Sequence, residues 1–222
     1  MILRQFVDAC ASKSRIMAHP KYIAVAGNIG CGKSTLVDFI CRTYGVQPFF
    51  EPNANNPYLK DFYKDMRQWA YHSQIYFLTH KFKIHQELER ERGLHTVIQD
   101  RTIYEDAEVF AAYLYRRQFI RKRDWEIYEA LYKTILDALH PPDLLIYLRA
   151  SVRTVRQRIK VRGRPEEQAI PTSYLRSLNK LYEEWFESYS LSPTVVIETD
   201  NLDYRTDLED LIEVRKTIEK HL

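Results

Sequence analysis

The stretch GNIGCGKST, residues 27–35, holds three of the six glycines in the chain. It follows the apolar run YIAVAG (22–27) and precedes a helical pattern, which is the setting in which G-x-x-x-x-G-K-[ST] forms a phosphate-binding loop. Glycine lets successive main-chain N–H groups turn towards phosphate oxygens, and the helix N-terminus adds partial positive charge. We therefore predict that the following residues bind the phosphates of a nucleoside triphosphate: Gly27, Asn28, Ile29, Gly30, Cys31, Gly32, Lys33, Ser34 and Thr35.

Three residues of this loop have individual predicted roles. Lys33 supplies a full positive charge near the β and γ phosphates, and the hydroxyl of Ser34 is placed to bind Mg²⁺. Cys31 is interpreted as a small loop residue, although a thiol beside a lysine and a helix start is also a candidate for reactivity. The loop alone does not identify the acceptor of the phosphoryl group.

Outwards from the loop, apolar runs alternate with long helical patterns, which predicts an α/β fold with a five-stranded parallel sheet and helices on both faces. We expect Gly45 to end the first helix and Gly93 to end a long helix over Arg67–Arg92. The predicted strands are 22–27, 46–51, 95–100, 143–148 and 194–199.

Charged residues follow the second and third predicted strands. Because ligands collect outside the carboxyl ends of parallel strands, Glu51, Asp100 and Arg101 should converge near the phosphate loop. Glu51 is a candidate base for an attacking hydroxyl, and Arg101 would steady charge on the transferring oxygens. Asp100 would hold magnesium directly or through water.

Four arginines crowd around Gly163 in the stretch RQRIKVRGRPEEQ. Packed cations repel one another, so this cluster favours a flexible lid, over about residues 158–169, that closes on a triphosphate. A solvated, charged helix end is the alternative. The four arginines are Arg156, Arg158, Arg162 and Arg164.

The composition limits the class of protein. A chain of 222 residues with 45% hydrophobic content can bury a sizeable core, and we expect one kinase domain over 21–222 after a loose extension over 1–20. No apolar run is long enough to span a membrane. The net charge is +3, and the lysines and arginines are mixed with acidic residues along most of the chain. No nucleic-acid partner is therefore expected. Three cysteines without metal-ligand spacing predict free thiols and a cytoplasmic location.

Over about residues 21–204 the chain resembles the deoxynucleoside kinase family, especially the bacterial deoxyadenosine and deoxyguanosine kinases. The resemblance rests on GNIGCGKST, EPNANNPYLKDFY, WAYHSQIYFLTHKF, DRTIYEDAEVF and RGRPEEQAIPTSYL, in the order of the family. It implies a P-loop kinase fold, ATP with Mg²⁺ as phosphate donor, a deoxynucleoside as acceptor and a homodimer. An interface could come from the tyrosine-rich helices over Tyr104–Tyr132.

The resemblance also implies roles for single residues. Glu51 looks like the general base for the 5′-hydroxyl, and Arg101 like the arginine beside it. Tyr63 and Glu167 look like the pair that holds the 3′-hydroxyl of the sugar. The base would be read by Gln74 and Asp106, with Phe110 as an aromatic wall, and the matching lid residues are Arg158, Arg162 and Arg164.

Two departures from the family pattern affect this transfer. Asp100 stands where the family often has glutamate, so its metal-side carboxylate is one methylene shorter, and Thr102 replaces a serine. Lys81 stands where members that read purines or cytosine often have an arginine. We expect Lys81 to contact the substrate, but a lysine does not offer the planar, two-pronged donor of an arginine.

The residue types also limit which molecule can accept the phosphoryl group. A carboxylate such as Glu51 would repel the phosphate of a nucleotide acceptor and accept a neutral hydroxyl, which favours a nucleoside. Asp106 suits the exocyclic amino groups of adenine, cytosine and guanine, and Gln74 fits the N6 and N7 edge of adenine. We expect deoxyadenosine first, then deoxyguanosine and deoxycytidine. The alternatives are a thymidylate-type nucleotide kinase and a non-catalytic ATP-binding switch.

Overall fold

A five-stranded, all-parallel sheet with the strand order β2-β3-β1-β4-β5 organises the chain. The computed structural model describes residues 19–50, 56–203 and 207–221. All five predicted strands are present, which confirms the predicted α/β class. Their bounds are β1 (Tyr22–Ala26), β2 (Gln47–Phe49), β3 (Val97–Asp100), β4 (Leu144–Arg149) and β5 (Thr194–Glu198).

The strand β1 lies at the centre of the sheet, between β3 and β4. Each of its five residues is buried, as expected for a parallel strand with helices on both faces. Ala24 pairs with Gln99 of β3 on one side and with Leu145 of β4 on the other. The loop after β1 therefore emerges in the middle of the carboxyl edge of the sheet.

Ten α-helices and one π-helical segment surround the sheet within the described ranges. Asp106–Ala111 forms the π-helix between two α-helices and widens the turn at that point. The α-helices are α1 (Lys33–Tyr44), α2 (Leu59–Lys64), α3 (Met66–Glu91), α4 (Ile103–Glu105), α5 (Ala112–Arg116), α6 (Lys122–Leu136), α7 (Val152–Arg162), α8 (Pro165–Gln168), α9 (Thr172–Ser188) and α10 (Leu208–Glu219).

Both predicted helix ends are confirmed, but only one of them uses a left-handed glycine. Gly45 ends α1 with a left-handed φ of 67° and donates its N–H to the carbonyl of Cys41. Gly93 lies beyond the end of α3 but has no left-handed conformation. Instead, the N–H groups of Leu94 and His95 both donate to the carbonyl of Glu91, so the helix ends by a tightened last turn.

The predicted extension falls mostly on residues 1–18, which lie outside the described residues. None of the helices in the described part of the chain has the length and apolarity that crossing a bilayer requires.

Candidate active site

A cavity of about 1,420 Å³ opens at the carboxyl edge of the sheet. It is larger than a typical site for one small molecule, and its size suits two ligands side by side. Glu51 lies outside the residues that the structure describes. The other predicted site residues that line the cavity are Ile29, Gly30, Gly32, Lys33, Ser34, Thr35, Tyr63, Gln74, Asp100, Arg101, Asp106, Phe110, Arg158, Arg162, Arg164 and Glu167.

The glycine-rich loop is shaped by close contacts that only glycine permits. A Cβ atom on Gly27, whose φ is 140°, would lie 2.6 Å from the carbonyl oxygen of Leu148. A Cβ atom on Gly30, with φ 78°, would lie 2.9 Å from Cγ1 of Ile159. Both glycines are thus required by β4 and α7 behind the loop as well as by the phosphates that it is built to receive.

Lys33 and Asn28 hold the loop in place. The buried ammonium of Lys33 donates to the carbonyls of Gly27, at 2.9 Å, and Asn28, at 3.1 Å. The Asn28 side chain accepts from the N–H of Ile29 and donates to the carbonyl of Leu175 on α9. Asn28 therefore ties the loop to α9, and Lys33 places a positive charge within the loop.

Cys31 is fully buried in the loop. Burial raises the pKa of its thiol, and this effect exceeds the opposite influence of the nearby Lys33 and Arg101 charges. A thiol that is buried and protonated is a poor nucleophile. The geometry therefore favours the small loop residue over the reactive cysteine.

Ser34 and Asp100 meet at the start of α1, as the sequence predicts for a metal site. The Ser34 hydroxyl donates to Oδ2 of Asp100 at 2.6 Å. The other oxygen, Oδ1, is buried and has no hydrogen-bond partner among the described residues. No cluster of three or more His, Cys, Asp or Glu side chains suited to a metal occurs in the described ranges. One carboxylate and one hydroxyl fit Mg²⁺, which takes its remaining ligands from phosphates and water.

Arg101 adopts a left-handed backbone conformation, with φ 60°, directly after β3. The turn directs its guanidinium back over the sheet edge, where Nη2 donates to the carbonyl of Gly27 at 3.3 Å. The same guanidinium lies 4.5 Å from the ring centre of Phe110. Arg101 thus stands between the phosphate loop and the ring of Phe110.

Glu105 lies beneath this arrangement, and its role was not predicted from the sequence. Its side chain accepts hydrogen bonds from the N–H groups of Thr102 and Gly27 and from the hydroxyl of Tyr182. Burial raises the pKa of this carboxyl, against the lowering influence of Arg101 and Lys33. The local signal was the T-x-x-E spacing of Thr102 and Glu105, which forms a capping box at the start of α4.

Gln74, Asp106 and Phe110 line the far end of the cavity, where the sequence predicts the reading of a base. All three are buried, and Asp106 and Phe110 lie on the π-helix, which presents both side chains to the cavity. Oε1 of Gln74 has no hydrogen-bond partner among the described residues. A buried acceptor without a partner is unfavourable in an empty site, so this atom is suited to an exocyclic amino group of a ligand.

The expected substrate contact of Lys81 is not supported, because this residue does not line the cavity. Its ammonium donates instead to the main-chain carbonyls of Asp100 and Arg101. A buried ammonium needs acceptors, and the end of β3 offers two main-chain carbonyls within hydrogen-bond distance.

The arginine cluster spans the end of one helix, a turn and the start of a second short helix. The segment up to Arg162 is regular helix, which ends at Gly163 with a left-handed φ of 71°. Arg162 and Arg164 both bind the carboxylate of Glu167. Arg158 is fixed to the rest of the fold, because its guanidinium donates to the carbonyls of Cys31, Thr199 and Leu202. The predicted lid over 158–169 therefore consists of the end of α7, the turn at Gly163 and α8, and its mobility stays a prediction.

Sequence reasoning missed one side of the cavity. Asp200 and Asn201 follow the end of β5 after one intervening residue, so the rule applied to β2 and β3 would have found them. Arg156, by contrast, does not line the cavity and donates to the carbonyl of Ile170. The missed residues that line this side are Thr154, Gln157, Val161, Asp200, Asn201, Leu202, Asp203 and Leu211.

A parallel sheet with a glycine-rich phosphate loop after its central strand, an arginine-bearing cap and a two-part cavity defines a P-loop kinase fold. The deoxynucleoside kinase family model matches residues 23–222. The chain therefore belongs to the deoxynucleoside kinase family and is a kinase.

Individual relatives agree with this membership. The deoxyadenosine kinase of Lactobacillus acidophilus is 35% identical over 211 residues, which cover 90% of this chain and 95% of the relative. The deoxyadenosine/deoxycytidine kinase of Bacillus subtilis is 34% identical over 187 residues, or 83% of this chain and 85% of the relative. The structure of deoxyadenosine kinase from M. mycoides with bound dATP is similar with a TM-score of 0.75 and 34% identity, and the match covers 88% of this chain and 99% of that one.

Proposed function

We propose that this kinase transfers the γ-phosphoryl group of ATP to the 5′-hydroxyl of a deoxynucleoside, with deoxyadenosine preferred over deoxyguanosine and deoxycytidine. One observation carries the proposal. The phosphate loop and the base-reading pair Gln74 and Asp106 line a single cavity, so donor and acceptor are held together on either side of Arg101. Such positioning supplies most of the catalysis in phosphoryl transfer.

The residues along the cavity have different roles in the proposed transfer. Glu51, two positions after the last residue of β2 in the sequence, accepts the proton of the 5′-hydroxyl as the oxygen attacks the γ-phosphorus. Lys33 and Arg101 stabilise the charge on the transferring oxygens, joined by Arg162 and Arg164 of the lid. Mg²⁺, held through Ser34 and Asp100, would neutralise the β and γ phosphate charges.

The choice of base follows from donors and acceptors. The Asp106 carboxylate and the buried Oε1 of Gln74 both accept hydrogen bonds, and adenine, guanine and cytosine each carry an exocyclic amino group that donates. Thymine has none. Tyr63 and Glu167 lie on α2 and α8, which pack together, and they are proposed to hold the 3′-hydroxyl that the sugar presents there.

A competition assay tests the function. The purified protein is incubated with ATP, Mg²⁺ and an equimolar mixture of the four deoxynucleosides, and the products are separated by chromatography. Deoxyadenosine monophosphate is expected ahead of the others. Product mainly from thymidine would contradict the reading of the base by Gln74 and Asp106, while the absence of any monophosphate would contradict the acceptor class.

We also propose a homodimer in the cytoplasm. The exposed residues Ile127 and Leu131 form one apolar stripe on α6, within the tyrosine-rich region, and Cys31 and Cys41 are free thiols. Light scattering after size exclusion is expected to give twice the mass of one chain, and the double variant I127E/L131E is expected to give the mass of a monomer. A monomeric wild type at all concentrations would refute the dimer.

A further inference from the structure

Lys81 is a buried lysine to which the proposed reaction assigns no role. It lies on α3 with only 1% of its surface exposed. Its Nζ donates to the carbonyl of Asp100 at 3.0 Å and to the carbonyl of Arg101 at 2.5 Å. These two residues carry the side chains that face the metal and the transferring phosphoryl group. One buried cation thus binds the backbone from which both functional side chains project.

The backbone at this point is bent in an uncommon way. Arg101, with φ 60°, is one of two non-glycine residues with positive φ in the described ranges; Gln118 is the other. Left-handed backbone is unfavourable for a residue with a Cβ atom. Successive carbonyls of an extended strand point in opposite directions, so the carbonyls of Asp100 and Arg101 reach one ammonium only when the chain turns between them. Binding of Lys81 therefore selects the turned conformation.

The turn determines where both side chains go. Asp100 ends β3 and directs its carboxylate to the hydroxyl of Ser34 at the start of α1. Arg101 directs its guanidinium to the carbonyl of Gly27 and the ring of Phe110. An extended backbone at Arg101 would rotate its side chain away from the loop and release the constraint on Asp100.

We infer that Lys81 is a positioning residue for the transfer step: its ammonium holds the carbonyls of Asp100 and Arg101 in the turn that places both side chains in the cavity. This inference rests on the proposed roles of Asp100 and Arg101 in the reaction. It assigns Lys81 to the phosphate end of the site, so its effect on the reaction is independent of the base of the substrate. A lysine that read the base would act differently on deoxyadenosine and deoxycytidine.

The variant K81M tests the inference, because methionine approximates the size of the lysine stem and lacks the charge and the donors. K83M is the matched control, since Lys83 lies on the same helix and is exposed. We expect kcat of K81M to fall at least tenfold with both deoxyadenosine and deoxycytidine, with the ratio of the two kcat/KM values unchanged. The Mg²⁺ concentration for half-maximal rate should rise, because Asp100 loses its orientation. K83M should match the wild type.

Binding gives a second readout. Calorimetric titration of the two deoxynucleosides should show their Kd values for K81M shifted by the same factor, if at all. The variant K81Q keeps a donor on the side chain and should retain more kcat than K81M. It also serves if K81M does not fold.

The outcomes separate the two hypotheses. A change in the ratio of kcat/KM or Kd between the two bases would show that Lys81 reads the base and would overturn the inference. A lower Tm with unchanged kcat and Mg²⁺ dependence would overturn it as well, because the lysine would then be structural only. A wild-type protein that phosphorylates no deoxynucleoside would refute the proposed function instead.

Discussion

At the scale of single residues, the side chains proposed to carry the chemistry sit in short motifs at strand ends, and most of the residues predicted for the site line the cavity. The exception is a long side chain on a helix. Lys81 was expected to contact the substrate, yet its ammonium binds the main-chain carbonyls of Asp100 and Arg101. The sequence gives the position of a Cα atom on a helix face, but a side chain of this length reaches any of several acceptors. Only the packing of neighbouring elements decides among them.

The proposed base makes a strong prediction at this scale. E51Q removes the proton acceptor and keeps the size, so kcat should fall by about 10²–10⁴-fold while KM for ATP stays near its wild-type value. Steady-state kinetics with deoxyadenosine measure both quantities. E187Q, a change of the same kind at an exposed site on α9, is the control. An unchanged kcat would remove Glu51 from this role.

The carboxylate at the end of β3 gives a second prediction. D100N removes the charge beside Ser34, so the Mg²⁺ concentration for half-maximal rate should rise on the order of tenfold. The measurement is a Mg²⁺ titration of the initial rate at saturating deoxyadenosine. D137N, an exposed change at the end of α6, should leave the titration curve in place. Equal curves for D100N and wild type would exclude Asp100 from the metal site.

At the scale of elements, all five strands were predictable as short, mostly apolar runs. The strands β1, β3 and β4 are buried almost throughout, whereas the edge strands β2 and β5 are partly exposed. The π-helix over Asp106–Ala111 was not predictable, since one extra residue in a helical turn leaves no mark on hydrophobic periodicity. Over the predicted lid, the pattern of charges suggested a flexible segment, whereas Arg158 and Arg162 belong to regular helix and a second short helix follows the turn at Gly163.

The lid yields a prediction with opposite effects on the two substrates. Glu167 neutralises Arg162 and Arg164 and is proposed to bind the sugar. E167A should therefore raise KM for deoxyadenosine severalfold, through the lost contact, and lower KM for ATP, through two released cations. Kinetics with each substrate varied in turn measure both. The control E166A removes a neighbouring charge of the same segment. An equal fall in the KM for ATP of E166A would show that the effect comes from the change in net charge and not from the release of Arg162 and Arg164.

At the scale of the whole molecule, the fold class and the family were within reach of the sequence, because the motifs fix which strand ends share an edge. What the sequence could not supply is how distant segments support that edge. Examples are Asn28 bound to α9, Glu105 beneath Gly27, and Arg158 bound to Thr199. These contacts join residues more than 40 positions apart, and no local pattern records them.

Global stability should depend on His85, which is buried beside Glu89 and under the edge of the Tyr22 ring. Burial lowers its pKa below the usual 6.5, and the opposing Glu89 carboxylate does not reverse this shift. At a pH between the two pKa values, His85 is protonated in the unfolded chain but neutral in the folded protein. The contribution of neutral His85 to the free energy of unfolding is fully present above about pH 6.5. It is lost as the pH falls towards the lowered pKa of His85 in the folded protein.

Urea unfolding at pH 7.5 and pH 5.5 measures this dependence. H85N should lose less of its free energy of unfolding between the two pH values than the wild type. The remaining charged and titratable groups around His85 are Arg92 and His140, so H140N serves as the control for a nearby exposed histidine. Identical pH dependence in H85N and wild type would contradict the assignment.

The close packing of the phosphate loop also determines how late in the synthesis of the chain the loop can adopt its final conformation. Gly27 rests against Leu148 of β4, Gly30 against Ile159 of α7, and the carbonyl of Cys31 against Arg158, which in turn is bound to Thr199. A growing chain exposes the loop on the ribosome long before these supports are translated. Capture of a nucleotide during translation is therefore a late event, which follows the emergence of the fifth strand.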